Sequence, residues 1–257
     1  MIREKKPISA LESDEDYLLR RALNTSSSLA RKSLLFTAMK PILDTQLHLG
    51  TIVDIGCGIG APAEFLSGHY DRYIGVDRGE KVIEAAKLFN RNNSKAEFVV
   101  QELTNSVLMN NTADVVLAVG ALHHMSNLDS VLETVLKIAK PNAYFVVIEP
   151  QFNSPIGLVI RLMRKFLDQT YLDNQIHYTD EYLKSLLIKN GIRDVNVEYH
   201  GFFSATFAQI DFRPQYIFIP ISLATIVVDG ILDNYLPHVV KKFAVNTIIR
   251  GTFPDEV

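Results

Sequence analysis

The chain has 257 residues, 47% of them hydrophobic and 21% charged, which is typical of a folded protein the size of one large α/β domain. Its net charge of -3 gives no general electrostatic reason to bind nucleic acid. The single cysteine, Cys57, excludes an internal disulfide and a multi-cysteine zinc site, and we expect no metal. A lone thiol and an N-terminus without a signal-peptide core predict a cytoplasmic protein.

The first half of the chain predicts an α/β fold. Residues 13–47 predict two helices broken near residues 24–28, where Ser and Asn can cap the second one. Beyond Gly50, short apolar segments alternate with helical ones. The predicted strands are 51–56, 72–77, 96–103, 113–120 and 143–150, and the helix before the last of them is expected to stop at Pro141. This alternation predicts a doubly wound parallel sheet covered on both faces.

The second half is less regular. Residues 157–170 predict a helix, and residues 179–191 predict another that begins at a Thr cap and ends at a Gly. Residues 194–201 alternate like a strand, and 243–251 predict the last strand. We therefore expect one domain in three parts: an N-terminal helical cap, a cofactor-binding core and a substrate-side region (1–49, 50–150 and 151–257).

Residues 202–242 form an apolar insertion before the last strand. Its most hydrophobic run, 216–228, contains a proline and ends at Asp229. That is short of the roughly 20 residues needed to span a bilayer, so we predict no transmembrane helix. The insertion could form a helical hairpin packed on the sheet or on a second subunit in a homodimer. Alternatively, Lys241 and Lys242 could place it against lipid head groups as a peripheral contact. In either case its aromatic residues suggest an apolar acceptor (Phe202, Phe203, Phe207, Phe212 and Tyr216).

The stretch "VDIGCGIG", residues 53–60, turns a strand into a helix through Gly56, Gly58 and Gly60. Glycine has no Cβ and tolerates positive φ, so a ligand can touch the backbone there. A tight turn with glycines for packing is the plain alternative. Asp77 favours a site, because it ends the next strand, where a carboxylate can accept both hydroxyls of a ribose.

Two cofactors fit this loop. Gly56, Gly58 and Ala61 match the dinucleotide spacing, which would indicate an NAD(P)-dependent oxidoreductase. However, Asp54 ends the first strand, where a carboxylate would repel a pyrophosphate. S-adenosylmethionine carries an ammonium and a sulfonium and no phosphate, so the electrostatics favour it.

The same residues resemble the class I S-adenosylmethionine-dependent methyltransferases. "VDIGCGIG" resembles their first motif, "YIGVD" the second and "FVVQEL" the third. "ADVVLAVGALHHM" is similar to the fourth-strand motif of the methyltransferase-11 group of small-molecule enzymes, and "AKPNAYFVVIEP" to the fifth strand with its preceding turn. The resemblance covers residues 51–150 strongly and 179–201 loosely.

The resemblance implies a Rossmann-like seven-stranded sheet whose last strand is antiparallel. It implies S-adenosyl-L-methionine as the cofactor, with the methionine part on the glycine loop, the ribose on Asp77 and the adenine side near Glu102. The expected cofactor contacts are Asp54, Gly56, Cys57, Gly58, Gly60, Asp77, Arg78, Gln101, Glu102, Leu103 and Val119. The Cys57 side chain is expected to pack rather than to act as a nucleophile.

Methyl transfer from a sulfonium is an in-line displacement that mainly needs alignment of the nucleophile and exclusion of water. An oxygen nucleophile also benefits from a base, for which His is the usual choice. The candidates are His123 and His124 after the fourth strand, and His177 with Tyr178 in a later loop. The alternative for His123 and His124 is that they cap or pack the following helix. The alternative for His177 and Tyr178 is an ordinary loop. Glu149 could orient a substrate or face solvent.

We therefore predict methyl transfer to a small or lipid-linked apolar acceptor, with O-methylation as the first expectation and C- or N-methylation left open. Nucleobase methylation is disfavoured, because "GALHHM" stands where such enzymes carry an Asn/Asp-Pro-Pro-aromatic run. The alternatives are the NAD(P)-dependent oxidoreductase and a non-catalytic S-adenosylmethionine-binding protein.

Overall fold

The computed structural model describes residues 23–103, 110–151, 153–167, 176 and 178–255. Seven strands form one sheet in the order β3-β2-β1-β4-β5-β7-β6. The strands are β1 (Thr51–Ile55), β2 (Arg72–Asp77), β3 (Ala96–Val100), β4 (Ala113–Val119), β5 (Ala139–Pro150), β6 (Arg193–His200) and β7 (Asn246–Thr252). Strand β7 pairs antiparallel with both β5 and β6, whereas β1 to β5 pair in parallel. The predicted fold class is confirmed.

Helices cover both faces of the sheet. They are α1 (Thr25–Leu43), α2 (Ala61–Phe65), α3 (Glu80–Phe89), α4 (Leu128–Ile138), α5 (Pro155–Leu167), α6 (Asp180–Lys189), α7 (Ser204–Gln209), α8 (Gln215–Tyr235) and α9 (His238–Lys241). Helices α1, α2 and α3 share one buried apolar cluster with β1, β2 and β4. Helices α4 and α6 pack in the cluster on the opposite face. Because successive side chains of a strand point to opposite faces, both faces of the sheet are apolar.

Two predicted helix starts are confirmed by their caps. The Asn24 side chain accepts a hydrogen bond from the Ser27 amide at 2.9 Å, and Thr179 accepts one from the Tyr182 amide at 3.2 Å. Each bond satisfies one of the amides that a helix leaves free at its first turn. The first helix of the predicted N-terminal pair lies largely outside the described residues.

Several predicted element ends differ from the structure. Strand β3 stops at Val100 instead of residue 103, β5 starts at Ala139 instead of residue 143, and β7 starts at Asn246 instead of residue 243. Helix α4 ends at Ile138 rather than at Pro141. It ends there because Ala139 already pairs with Ala113 of β4, so sheet pairing stops the helix before the proline does.

The insertion does not form a simple hairpin, because α7, α8 and α9 follow one another and α8 is a single helix of 21 residues. The apolar run 216–228 was judged too short to span a bilayer, but the helix that contains it continues past Asp229 to Tyr235. Within the described part of the chain, α8 is the helix long and apolar enough to cross a membrane, judged by length and composition alone.

Candidate active site

The glycine loop lies between β1 and α2, at the carboxyl edge of the sheet. Gly56, Gly58 and Gly60 have φ of 67°, 54° and 68°, a region that glycine adopts without strain. A Cβ on Gly60 would stand 2.3 Å from the Phe98 ring, and one on Gly56 would stand 2.7 Å from the Ala121 Cβ. Gly56 and Gly60 are therefore needed for close approach, and the Gly56 contact joins this loop to the turn after β4.

Asp77 ends β2 beside the loop and organises it. One carboxylate oxygen accepts the Gly58 amide at 3.1 Å, and the other accepts the Gly79 amide at 2.9 Å. The side chain is only partly buried. Since each carboxylate oxygen has two acceptor positions, one on each remains for another donor. This arrangement suits a pair of ribose hydroxyls.

Asp54 is the next-to-last residue of β1 and is 1% exposed. The Tyr73 hydroxyl donates to its Oδ2, whereas Oδ1 is buried and accepts no hydrogen bond within the described residues. Burial, together with the nearby negative charge of Asp77, raises the pKa of Asp54 to about 7. A buried carboxylate short of one donor fits a ligand that brings an ammonium, as S-adenosylmethionine does.

The other predicted cofactor residues surround these acids. The Cys57 thiol is buried, near the position of Gly75 in β2, and burial raises its pKa well above its usual value. Its side chain therefore packs in the core. The Gln101 amide donates to the Asp77 carbonyl at 2.8 Å, which holds 101–103 beside that acid. Of the remainder, Arg78 and Glu102 are exposed, Val119 is half-buried and Leu103 is buried.

His123 and Glu149 meet at the carboxyl ends of β4 and β5. The His123 Nδ1 lies 2.6 Å from Glu149 Oε2, and both side chains are nearly buried. Glu149 Oε1 accepts the amides of Ala121 and Leu122 at 2.9 and 2.7 Å. Glu149 therefore fixes both the imidazole and the backbone of the turn that carries it.

The second predicted histidine lies directly against the first. The ring centroids of His123 and His124 are 4.0 Å apart. Burial, followed by the charges of His123 and Arg78, lowers the pKa of His124, so its ring is neutral at neutral pH. The third candidate, His177, lies outside the described residues.

A small pocket lies over this pair, lined by His123, Glu149, Pro150 and Tyr178. The Tyr178 hydroxyl donates to the Met125 carbonyl at 2.7 Å, which secures the pocket wall to the turn after β4. Within the described ranges, no group of three or more His, Cys, Asp or Glu side chains is arranged to hold a metal ion.

The sequence did not assign Glu149, which it left open between a substrate contact and solvent. The available signal was topological. Residues at the carboxyl ends of neighbouring parallel strands lie side by side, so an acid ending β5 can reach a His that follows β4. The two residues are 26 positions apart in the chain, and pairing of β4 with β5 brings them together.

The sheet order, the antiparallel β7 and the glycine loop beside an acid-ended β2 define the class I S-adenosylmethionine-dependent methyltransferase fold. The model of the methyltransferase-11 family, a methyltransferase domain, matches residues 53–147. This range runs from β1 to β5 and contains Asp54, the glycines, Asp77 and both histidines after β4. This segment of the chain therefore matches the methyltransferase domain of this family, whose cofactor is S-adenosyl-L-methionine.

Known proteins agree with this assignment. The sterol 24-C-methyltransferase of Kluyveromyces lactis is 30% identical over 102 residues, 38% of this chain and 28% of that protein. The 24-methylenesterol C-methyltransferase 3 of Arabidopsis thaliana is 28% identical over 102 residues, with coverage of 38% and 28%. The matched segment thus spans under a third of the length of these curated relatives.

Solved structures share the fold over most of the chain. A methyltransferase from Aquifex aeolicus has a TM-score of 0.57 at 17% identity, covering 94% of this chain and 100% of that one. One from Archaeoglobus fulgidus has a TM-score of 0.57 at 20% identity, covering 92% and 99%. At these identities the likeness concerns the fold.

Proposed function

We propose that the protein transfers the methyl group of S-adenosylmethionine to a small apolar or lipid-linked acceptor, with His123 as the general base. The observation that carries this proposal is the His123–Glu149 pair, held at the turn that Gly56 contacts. The pair lies in a pocket wall next to the cofactor loop. When bound, the cofactor supplies an activated methyl group, and the protein must position the acceptor and take up its proton.

Glu149 sets the tautomer of His123. A carboxylate only accepts hydrogen bonds, so the proton of the neutral ring lies on Nδ1 and the lone pair on Nε2 is free to accept a proton. The negative charge of Glu149 also stabilises the imidazolium that forms when the proton arrives. An acid that holds and orients a His base in this way is a recurring catalytic arrangement.

The support for an apolar acceptor comes from the sequence relatives. The pocket beside His123 is small, and Pro150 and Tyr178 line part of it. The sequence relatives are named for methylating sterols, which are largely apolar lipids. We therefore propose an acceptor with an apolar body that presents one reacting atom to the transferred methyl group.

O-methylation is our first proposal, because a base beside the pocket suits the deprotonation of a hydroxyl. C-methylation is the second candidate, favoured by the similarity to sterol C-methyltransferases. It also uses a base, since a carbon that gains a methyl group must lose a proton. Product analysis separates the two: a methyl group delivered from labelled cofactor gives a methoxy carbon signal in one case and an aliphatic methyl signal in the other.

The test is release of S-adenosylhomocysteine with a panel of apolar alcohols, phenols and sterols. We expect His123→Ala to lower kcat by about 100-fold or more, in the range for loss of a general base. Glu149→Gln should have a similar effect. Its amide oxygen can accept from Ala121 and Leu122 only if its NH₂ faces His123, which moves the ring proton to Nε2.

His48→Ala is the matched control, because His48 is exposed and lies before β1, at the opposite edge of the sheet. It should leave turnover unchanged. Cofactor affinity should be similar in all three variants. Turnover by His123→Ala at the wild-type rate would contradict the role of His123, and cofactor binding without turnover on any acceptor would favour a non-catalytic protein.

A further inference from the structure

Helix α8 buries polar side chains and exposes apolar ones, the reverse of an ordinary surface helix. Its two fully buried side chains are polar, Ser222 and Asp229. Most of its apolar side chains point outward, and only 11% of its most apolar 18-residue window is buried. Eight large apolar residues of α8 are exposed: Tyr216, Ile217, Ile221, Leu223, Val227, Val228, Ile231 and Tyr235. A surface helix normally shows the reverse pattern.

The polar side chains of α8 anchor the helix to the fold. The Ser222 hydroxyl donates to the Ser26 carbonyl of α1 at 2.9 Å. Asp229 accepts the amides of Phe202, Phe203 and Ser204 ahead of α7. The helix is therefore fixed lengthwise against the domain, so it can present its apolar side to a surface but cannot cross a bilayer in this position.

The apolar surface extends beyond α8. Val239 and Val240 of α9 and the following Phe243 are also exposed. Ile156 of α5 and Leu232 of α8 pack against the same buried cluster, which places α5 in the same region as α8. Helix α5 exposes four further apolar side chains, Leu158, Val159, Leu162 and Met163. We call this whole area the apolar face (exposed residues of α5, α8 and α9 with Phe243). Contiguous areas of this kind mark interaction sites.

The charges around the apolar face are mainly basic. Arg213 precedes α8, is 70% exposed and lies 3.9 Å from Asp211. Lys242 follows α9, is 45% exposed and lies 3.5 Å from Glu181. The two acids of α8 are occupied, Asp229 by backbone amides and Asp233 by His200 Nδ1 at 2.5 Å. Basic residues beside an apolar helix suit anionic lipid head groups.

Tyrosines mark both ends of the exposed stripe of α8. Tyr216 and Tyr235 are 78% and 82% exposed and lie roughly 28 Å apart along the helix, at 1.5 Å per residue. Tyrosine is enriched at the membrane–water interface, where its ring is apolar and its hydroxyl meets water. A helix lying flat in that interface would place both rings there.

We propose that the apolar face docks on the surface of a membrane containing anionic lipid, with α8 lying parallel to the bilayer. A second copy of the chain fits less well. In a two-fold contact with the helices antiparallel, Arg213 of each copy would face Lys241 and Lys242 of the other. With the helices parallel, each basic end would face the same basic end of the other copy. Like charges therefore meet in both arrangements, which disfavours the contact.

The first experiment is co-sedimentation of the full chain with vesicles of phosphatidylcholine containing about one quarter phosphatidylglycerol. We expect the chain to bind these vesicles and to bind pure phosphatidylcholine vesicles more weakly. Added salt should weaken binding to the anionic vesicles. The double variant V227S/I231S should bind at least about tenfold more weakly, because it removes two exposed apolar side chains. L88S is the matched control, since Leu88 is 58% exposed on the distant helix α3, and its binding should match the wild type.

The second experiment reports contact directly. The chain contains no tryptophan, so Val227→Trp introduces a single fluorescent reporter. We expect its emission to shift to shorter wavelength on vesicles and to be quenched by brominated lipid chains, whereas Leu88→Trp should show neither effect. The proposal is independent of methyl transfer, since neither readout uses activity.

Three outcomes would overturn the proposal: no vesicle binding by the wild type, equal binding by V227S/I231S, or fluorescence of the Val227→Trp variant that brominated lipid leaves unchanged. Sedimentation equilibrium without lipid adds a fourth. A wild-type dimer that V227S/I231S converts to a monomer, with no vesicle binding by either, would assign the apolar face to a subunit interface.

Discussion

Asp54 and Asp229 are both fully buried carboxylates, but they differ in how many hydrogen-bond donors they receive. Asp229 receives three backbone amides and the Ser204 hydroxyl. Asp54 receives one hydroxyl, and its second oxygen has no donor within the described residues. A buried charge with all its partners holds a fold together, whereas one lacking a partner indicates where a ligand binds.

The largest expected effect concerns Asp229, the buried carboxylate whose partners are all present. Asp229→Ala leaves the amides ahead of α7 buried without an acceptor, and we expect the free energy of unfolding to fall by about 3–5 kcal/mol. Thermal or urea denaturation measures it. Asn234→Ala, on the exposed side of the same helix, should cost far less. Equal stability of Asp229→Ala and the wild type would mean that these amides find other partners.

The second prediction concerns pH and Asp54. Its pKa is about 7 in the folded protein and near 4 when unfolded, so between these values the folded state binds more protons. The free energy of unfolding should therefore decrease as pH rises from about 4 to about 7, by on the order of 3 kcal/mol for this group. Denaturation of Asp54→Asn should lack this component, because an amide does not titrate in this range.

The same group links cofactor binding to protons. An ammonium beside Asp54 favours the carboxylate, so binding should release a proton below about pH 7, and affinity should rise with pH in that range. Calorimetry in two buffers of different ionisation enthalpy counts the protons. Proton release by Asp54→Asn equal to that of the wild type would place the ammonium elsewhere.

A smaller effect is expected at Asp77. Asp77→Ala removes an acceptor for a ribose and also frees the Gly58 and Gly79 amides. We expect S-adenosylmethionine binding to weaken by about 1–3 kcal/mol, the range for a lost buried polar partner. Titration calorimetry measures it, with the neighbouring exposed Arg78→Ala as a comparison. Unchanged affinity would mean that the ribose is held by other groups.

The smallest prediction concerns Asn24, which caps α1 and also donates to the Phe212 carbonyl ahead of α8 at 3.3 Å. Asn24→Ala should lower the free energy of unfolding by about 1–2 kcal/mol. Thr179→Ala, which removes a similar cap from α6, is the control for capping alone. A loss no larger at Asn24 than at Thr179 would show that the link to α8 adds no stability.

The cofactor loop was predicted from the sequence more fully than the His123–Glu149 pair or helix α8. Strand β2 was predicted at its observed bounds, and Asp54 and Asp77 were identified as strand-end acids, because apolar runs and glycines are local signals. The partner of His123 was not identified, since Glu149 reaches it only through sheet pairing. The extent of α8 was not predicted, because the apolar run ends at Asp229, whose amide partners lie 25 to 27 positions earlier in the chain.

The apolar face shows why the direction of a helix face cannot be taken from composition alone. The apolar residues of α8 outnumber its polar ones, so a core-facing apolar side was the natural expectation. In the structure the few polar residues are the inner ones, because α1 and the start of α7 offer them a carbonyl and three amides. The neighbouring elements decided which side faces inward.

The single cysteine has a practical consequence. Its thiol is buried in the glycine loop and its pKa is high, so a thiol reagent can modify the native protein only when that loop opens. The rate of labelling then measures how often the glycine loop opens, because Cys57 carries the single thiol of the chain. A ligand that holds the loop closed would slow the labelling of Cys57.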